Sequence, residues 1–398
     1  MRCLFVASCL AVVGSVACAA TSSSGGASSG SSGGEPPGTP SGAMLRNVDV
    51  TVIYPLPARD DLDALLAPSS IGKGGPLVGK DVFANGTVPE LDEFASLPDD
   101  DARLAAMRVV ALRYDPCAGV TMPPKEPASC VHQLRLLFQS LDTSAPPARA
   151  RDGALHAFYR LDAAAAAEVE GRLRSLRAER LSDPEVPLGI HPRLAEEGLA
   201  GPYATALREL VLAHAGPENL LRVTTFARVA NAFFDWRFAI RERGPAGFAD
   251  GTVATIASGT QIVRTISGGR WDADLTPASG SPDDPTQVFK VKLDEQASAF
   301  KATARVLNPR KHTSESIDCG SCHLAPDIAV FVERTQKLSL DPGERFTTQY
   351  SVDATTKPVD DSFALKNLHM LSYLGETLNV SARSANETAA VLEYLNGQ

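Results

Sequence analysis

Five consecutive residues near the C-terminus, Cys319-Gly320-Ser321-Cys322-His323, carry the strongest chemical signal in the chain. Two thiols three positions apart can each add to one of the two vinyl groups on one edge of a porphyrin. The imidazole of the next residue then sits beneath the ring, where a nitrogen can bind the iron. The spacing is that of c-type haem attachment. Gly320 and Ser321 are small, which suits a backbone passing close to the macrocycle edge. Other chemistries compete for the same residues. A redox dithiol needs its CxxC at the start of a helix just after a strand, and the polar stretch 310–316 before the motif reads as loop. A zinc site needs a fourth ligand, and export makes thiolate zinc sites less common. A plain disulfide strains to close over two residues.

The N-terminus argues for export. Arg2 supplies a positive start, and residues 4–16 form an apolar run broken only by Ser8, Cys9, Gly14 and Ser15. The run is too short to span a bilayer but suits the h-region of a signal peptide. It ends at Ser15-Val16-Ala17-Cys18, which resembles a lipobox, the site where bacterial lipoprotein signal peptidase cuts before an acylated cysteine. Ser15 stands where that motif has a large apolar residue, and ordinary cleavage after Ala19 is the rival. Residues 21–42 are almost entirely Ser, Gly and Pro, a solvated tether of the kind that holds a folded body off a membrane surface. The resemblance implies residues 1–17 as signal, 18–43 as tether, lipid on Cys18, and a cell-envelope location, at the outer membrane. Cys3 and Cys9 then leave with the signal. Cys117 and Cys130 are expected to pair in an oxidising compartment, across a loop containing Pro116, Pro123, Pro124 and Pro127.

The elements that must position the motif read as follows. A length of 398 residues suggests two or three domains, and 44% apolar with 21% charged residues is an ordinary globular composition. The formal charge of −9, with no basic stripe, argues against a nucleic-acid partner. No second apolar stretch is long enough to span a membrane. Period-2 patterns predict strands at Val48–Val50–Val52–Tyr54, 108–114, 131–138, 155–161, 221–240 and 252–266. Helical spacing predicts helices over 163–180, capped by Asp162, and over 203–215, stopped by Gly216-Pro217. Strands and helices without strict alternation indicate an α+β domain over 44–285, and 272–286, rich in Asp, Pro, Ser and Gly, reads as its boundary.

Residues 300–398 resemble a monohaem cytochrome c domain of the class I type, on three features: the CxxCH run, Met370 downstream, and a terminal helix over 384–395 opening on Ser384-Ala385-Asn386-Glu387. The fold class implied is an α+β N-terminal domain followed by a small, mainly α-helical cytochrome c-like domain over 290–398. In such cytochromes the downstream Met supplies the sixth iron ligand. Leu368-His369-Met370-Leu371 offers two donors side by side, so Met370, with His369 as alternative, or a remote ligand or an open site, remain possible. His132, His156, His191 and His214 are scattered without metal spacing. Lys301, Arg305, Arg310 and Lys311 are candidates to dock an acidic partner, or plain solvated charge. The function that follows is a lipid-anchored cytochrome with one covalent haem c, moving single electrons to a redox protein partner in the envelope. Two alternatives stand beside it: a sensor or peroxidase-like enzyme with an open sixth site, and a binding or scaffold lipoprotein whose haem domain is accessory.

Overall fold

Long strands buried on both faces set the architecture, and their apolar runs require cover on each side. The computed structural model describes residues 43–89, 97–144, 146–229, 235–252, 259–266, 270–273, 285–290, 296–335, 343–351 and 368–397. Residue 18 and the signal and tether segments lie outside these. Helix α1 (Asn47–Val50) runs into β1 (Thr51–Ile53), followed by a small hairpin of β2 (Ile71–Gly72) and β3 (Gly75–Pro76). Then come α2 (Asp100–Ala106), β4 (Met107–Ala118), β5 (Val131–Asp142), β6 (Arg149–Ala150) and β7 (Ala154–Leu161). Three helices follow, α3 (Ala163–Ala178), α4 (Pro192–Glu197) and α5 (Pro202–His214). The sheet resumes with β8 (Leu220–Val229), β9 (Asp235–Gly244), β10 (Gly247–Asp250), β11 (Thr260–Ile266) and β12 (Arg270–Ala273). Last are α6 (Gln296–Val306), α7 (Cys319–Thr335), the hairpin β13 (Leu371–Leu374) and β14 (Thr377–Val380), and α8 (Ala382–Asn396).

Ten strands form one sheet in the order β1-β4-β5-β7-β8-β9-β11-β12, with β6 beside β5 and β10 beside β9. Every pairing in it is antiparallel. Register divides the side chains between two faces. Tyr114, Leu134 and Tyr159 are aligned across β4, β5 and β7, as are Leu136 and Ala157, and α3 packs on β5 and β7 with Val169, Leu173 and Leu176 buried. Asp162 caps α3, accepting from the Ala165 N–H at 2.9 Å, a contact that stabilises a helix by about 1 kcal/mol. The opposite face carries Arg113, Arg135, His156, Phe158, Phe226 and Phe238, and α7 and α8 lie over it, against β11 and β4.

The fold class differs from the one the resemblance implies. Residues 42–398 make one compact unit, and its dominant element is the antiparallel sheet, with no separate, mainly helical cytochrome domain after it. The reason lies in α7. Its buried residues Leu324, Ala325, Ile328, Ala329 and Val332 join the same core as the sheet residues, so the helix that starts at the CxxCH run is docked on strands. Two smaller differences have local causes. Residues 47–50 are a helical turn where alternation predicts strand, because the Asp49 carboxylate accepts from the Arg46 N–H at 2.7 Å and closes the turn. The terminal helix is capped by Ser381, whose Oγ accepts from the Ser384 N–H at 3.2 Å, one turn before Ser384.

The two ends of the described body are clasped. Asn396 accepts from the Leu45 N–H and donates to its carbonyl, at 3.0 and 2.8 Å. Arg174 of α3 donates to the Ala43 and Leu395 carbonyls, at 3.1 and 2.6 Å. Among the described residues no helix is long and apolar enough to cross a membrane.

Cys117 and Cys130 are joined by a disulfide at the outer end of the β4–β5 connection. With a sequence separation of 13, loop closure stabilises the native state by about 3 kcal/mol in the chain-entropy model. The double variant Cys117→Ser, Cys130→Ser is expected to lower unfolding free energy by roughly that amount in urea titrations, with the sheet's circular dichroism retained.

Candidate functional site

The CxxCH run forms the first turn of α7, and a buried amide ties it to the sheet. Asp318, fully buried, caps the helix by accepting from the Ser321 N–H at 2.9 Å. The same Oδ1 accepts from Gln261 Nε2 at 2.8 Å, and Gln261 Oε1 accepts from the Gly320 N–H at 2.7 Å. Gln261 lies on β11 opposite Phe238 of β9 and is itself fully buried. The motif therefore sits at a fixed position on the sheet.

Cys319 and Cys322 are free thiols on the wall of a cavity between the α7 turn and the sheet. Burial, with the Asp318 charge and the neighbouring cysteine, pushes the Cys319 thiol far up. Burial pushes Cys322 up to about 12. Both sulfurs are protonated at neutral pH. That is opposite to a redox dithiol, whose attacking thiol is held below its ordinary range. Among the described residues no three His, Cys, Asp or Glu side chains gather into a metal-binding group.

His323 lines the same cavity. Its Nδ1–H donates to the Leu368 carbonyl at 2.6 Å, a contact that fixes the ring and its tautomer. The ring packs beside Phe238 and Phe226, with centroids 4.8 and 5.4 Å apart. The cavity opens to solvent at a mouth lined by Arg222, Thr252 and Glu315. A second space of about 610 Å³ adjoins it and shares Arg135, His156, Ser314, Cys322 and His323.

The two sixth-ligand candidates part company here. Met370 is buried on the wall of the second space. His369 is fully buried, with Nε2 2.8 Å from Asp152 Oδ1 and Nδ1 2.5 Å from Ser372 Oγ. Both of its nitrogens are engaged away from the cavities. Of the four basic residues considered for docking, Lys301 and Arg305 pair with Glu344 and Arg310 pairs with Glu393. None of the four lines either space.

Sequence spacing gave no hint of two further residues, because a sheet brings them in from distant segments. His156 on β7 lines both spaces, and burial, reinforced by the Arg135 charge, holds its imidazole well below the ordinary range and so neutral. Arg135 on β5 also lines both, with its guanidinium carbon 4.5 Å from the centre of the Phe158 ring. Among the described residues no carboxylate lies in ion-pair contact with it. At the mouth, Arg222 donates to both carboxylate oxygens of Glu315, each at 2.7 Å. Beside the second space, Arg113 pairs with Glu387 at 2.6 Å and Arg383 pairs with it at 2.8 Å. Burial alone would raise the Glu387 carboxyl, but Arg383, Arg113 and Arg135 outweigh it and hold it at about 2.

Two outcomes follow. Gln261→Leu leaves the Gly320 N–H and the Asp318 carboxylate without that partner, and is expected to cost about 2–3 kcal/mol, read as a lower urea midpoint at unchanged slope. Glu387 has a folded pKa depressed from the ordinary 4.5, so its contribution is present above that value and is lost as pH falls toward about 2. Wild-type protein is expected to lose on the order of 3 kcal/mol between pH 5 and 2 through this group, and Glu387→Gln to flatten that part of the stability curve.

No family model, curated protein or solved structure matches the chain.

Proposed function

We propose that this chain is a lipid-anchored protein of the cell envelope. In this reading it holds one haem c through thioether links from Cys319 and Cys322, places His323 on the iron, and passes single electrons to a redox protein partner. The observation that carries the reading is a coincidence of chemistry and space. The two thiols and the imidazole of CxxCH border one cavity, and Phe158, Phe226 and Phe238 of the sheet line the same cavity with aromatic surface suited to a macrocycle. The residues present fit the group in three further respects. The sulfurs are unoxidised and unpaired with each other. The His323 ring is already oriented by the Leu368 carbonyl. Arg135 brings a cation to the cavity wall, and a guanidinium is a donor that carboxylate groups favour.

Bound there, the haem supplies a one-electron iron couple. The chain's own residues do the rest. Each thiol adds its S–H across one vinyl double bond, sulfur to one carbon and hydrogen to the other, so nothing is oxidised and no atom is lost. The Gln261–Asp318 contacts keep the attachment turn in register with the sheet. The aromatic wall excludes water from one side, which limits reorganisation when the charge on the iron changes. The class I cytochrome resemblance contributes only its motif to this reading, since the host is a sheet.

The test is expression of the full chain in a periplasm equipped for cytochrome c maturation, with a haem stain on a denaturing gel and intact mass. The expected product stains and exceeds the processed polypeptide by one complete haem. Cys319→Ala together with Cys322→Ala is expected to abolish the stain. A colourless wild-type protein of polypeptide mass would falsify the reading.

A further inference from the structure

We infer that His156, on the central strand β7, is the second axial ligand of the iron. The inference rests on the haem reading above and deepens it. His323 and His156 border the same two adjoining spaces, one imidazole from a helix and the other from the sheet it covers. Six-coordinate haem iron takes one donor from each side of its ring, and these are two imidazoles that line both spaces. The position of His156 is set by the middle of the ten-stranded sheet. In register it stands between Leu137 of β5 and Thr224 of β8, and Phe158, two residues along, stacks with it at a centroid distance of 6.3 Å. A donor on a strand is held more tightly than one on a loop.

The surroundings of the ring also point to a ligand. Among the described residues neither nitrogen of His156 has a hydrogen-bond partner, and its cross-strand neighbour Leu137 offers none. The half-buried ring borders both spaces with its nitrogens uncommitted. The competing donors are less well placed. His369 has both nitrogens committed to Asp152 and Ser372. Met370 borders only the second space, and its carbonyl is tied to the Ser381 N–H and the Ser384 hydroxyl at 2.7 and 3.0 Å. Bis-imidazole ligation gives a closed iron that carries electrons and has no room for a diatomic ligand, at a lower potential than His–Met ligation.

The experiment compares full-length, matured wild type with His156→Ala, His156→Met and Met370→Leu by mass, absorption and electron paramagnetic resonance spectra, carbon monoxide binding and redox titration. The expected wild type is low-spin and inert to carbon monoxide. His156→Ala keeps its covalent haem by mass but becomes high-spin and binds carbon monoxide. His156→Met, which keeps a donor in place should the alanine variant fold poorly, stays low-spin with its potential shifted upward. Met370→Leu leaves the wild-type spectrum intact. A low-spin, carbon-monoxide-inert His156→Ala protein, or a high-spin Met370→Leu protein, overturns the assignment while leaving the haem in place. Wild type without haem mass overturns the reading beneath it as well, so the two failures are distinguishable.

Discussion

One buried side-chain amide fixes where the CxxCH turn sits on the sheet. Gln261 sits inside the sheet face and makes its two hydrogen bonds to the turn that begins α7, one to the capping carboxylate and one from the backbone of the motif itself. Removing either group from water without a partner is costly, so strand and turn satisfy each other or neither is stable. The cap adds a second constraint. The Asp318 carboxylate lies at the helix N-terminus, where the peptide dipoles favour negative charge, and its hydrogen bond from Ser321 places the cysteines one turn from a fixed point. The helix then buries its apolar stripe on the same core as the sheet. A motif that elsewhere belongs to helical domains is here an attachment of a large antiparallel sheet.

Electrostatics around the cavities run against the average of the chain. The formal charge is −9, yet Arg113, Arg135, Arg222 and Arg383 line the two spaces or adjoin them. Glu387 is shared by Arg113 and Arg383, and Glu315 answers Arg222 at the mouth. Arg135 is left over, its charge resting on the Phe158 ring. Burial lowers its pKa, which says that the guanidinium is short of solvation where it stands. A wall carrying an arginine outside any ion pair among the described residues is suited to an acidic group, and burial, reinforced by that charge, keeps the neighbouring His156 imidazole neutral.

The legible and illegible parts of the sequence divide along the range of the interactions involved. The runs 108–114, 131–138 and 155–161 announce strands because each carries its own alternation, and β4, β5 and β7 cover them. Asp162 and the Gly216-Pro217 pair mark helix ends through contacts within a few residues. The CxxCH run is local too, and its residues can be named from spacing alone. What spacing does not reveal is the partner of α7: an amphipathic stripe reads the same whether it meets helices or strands. His156 and Arg135 were invisible for a related reason. They reach the cavity only through antiparallel register, in which Leu137 faces His156 and Arg135 faces Phe158, and nothing near them in the chain announces it. Gln261 belongs to the same class, being separated from Asp318 by 57 positions.

The clasp between Asn396, Arg174 and residues 43–45 has a mechanical consequence. A pull on Ala43 meets three hydrogen bonds, one from Arg174 of α3 and two with Asn396 of α8, before it reaches β1. The same closeness of the two ends makes the body a natural subject for circular permutation, with a short bridge across the clasp and new ends opened elsewhere on its surface.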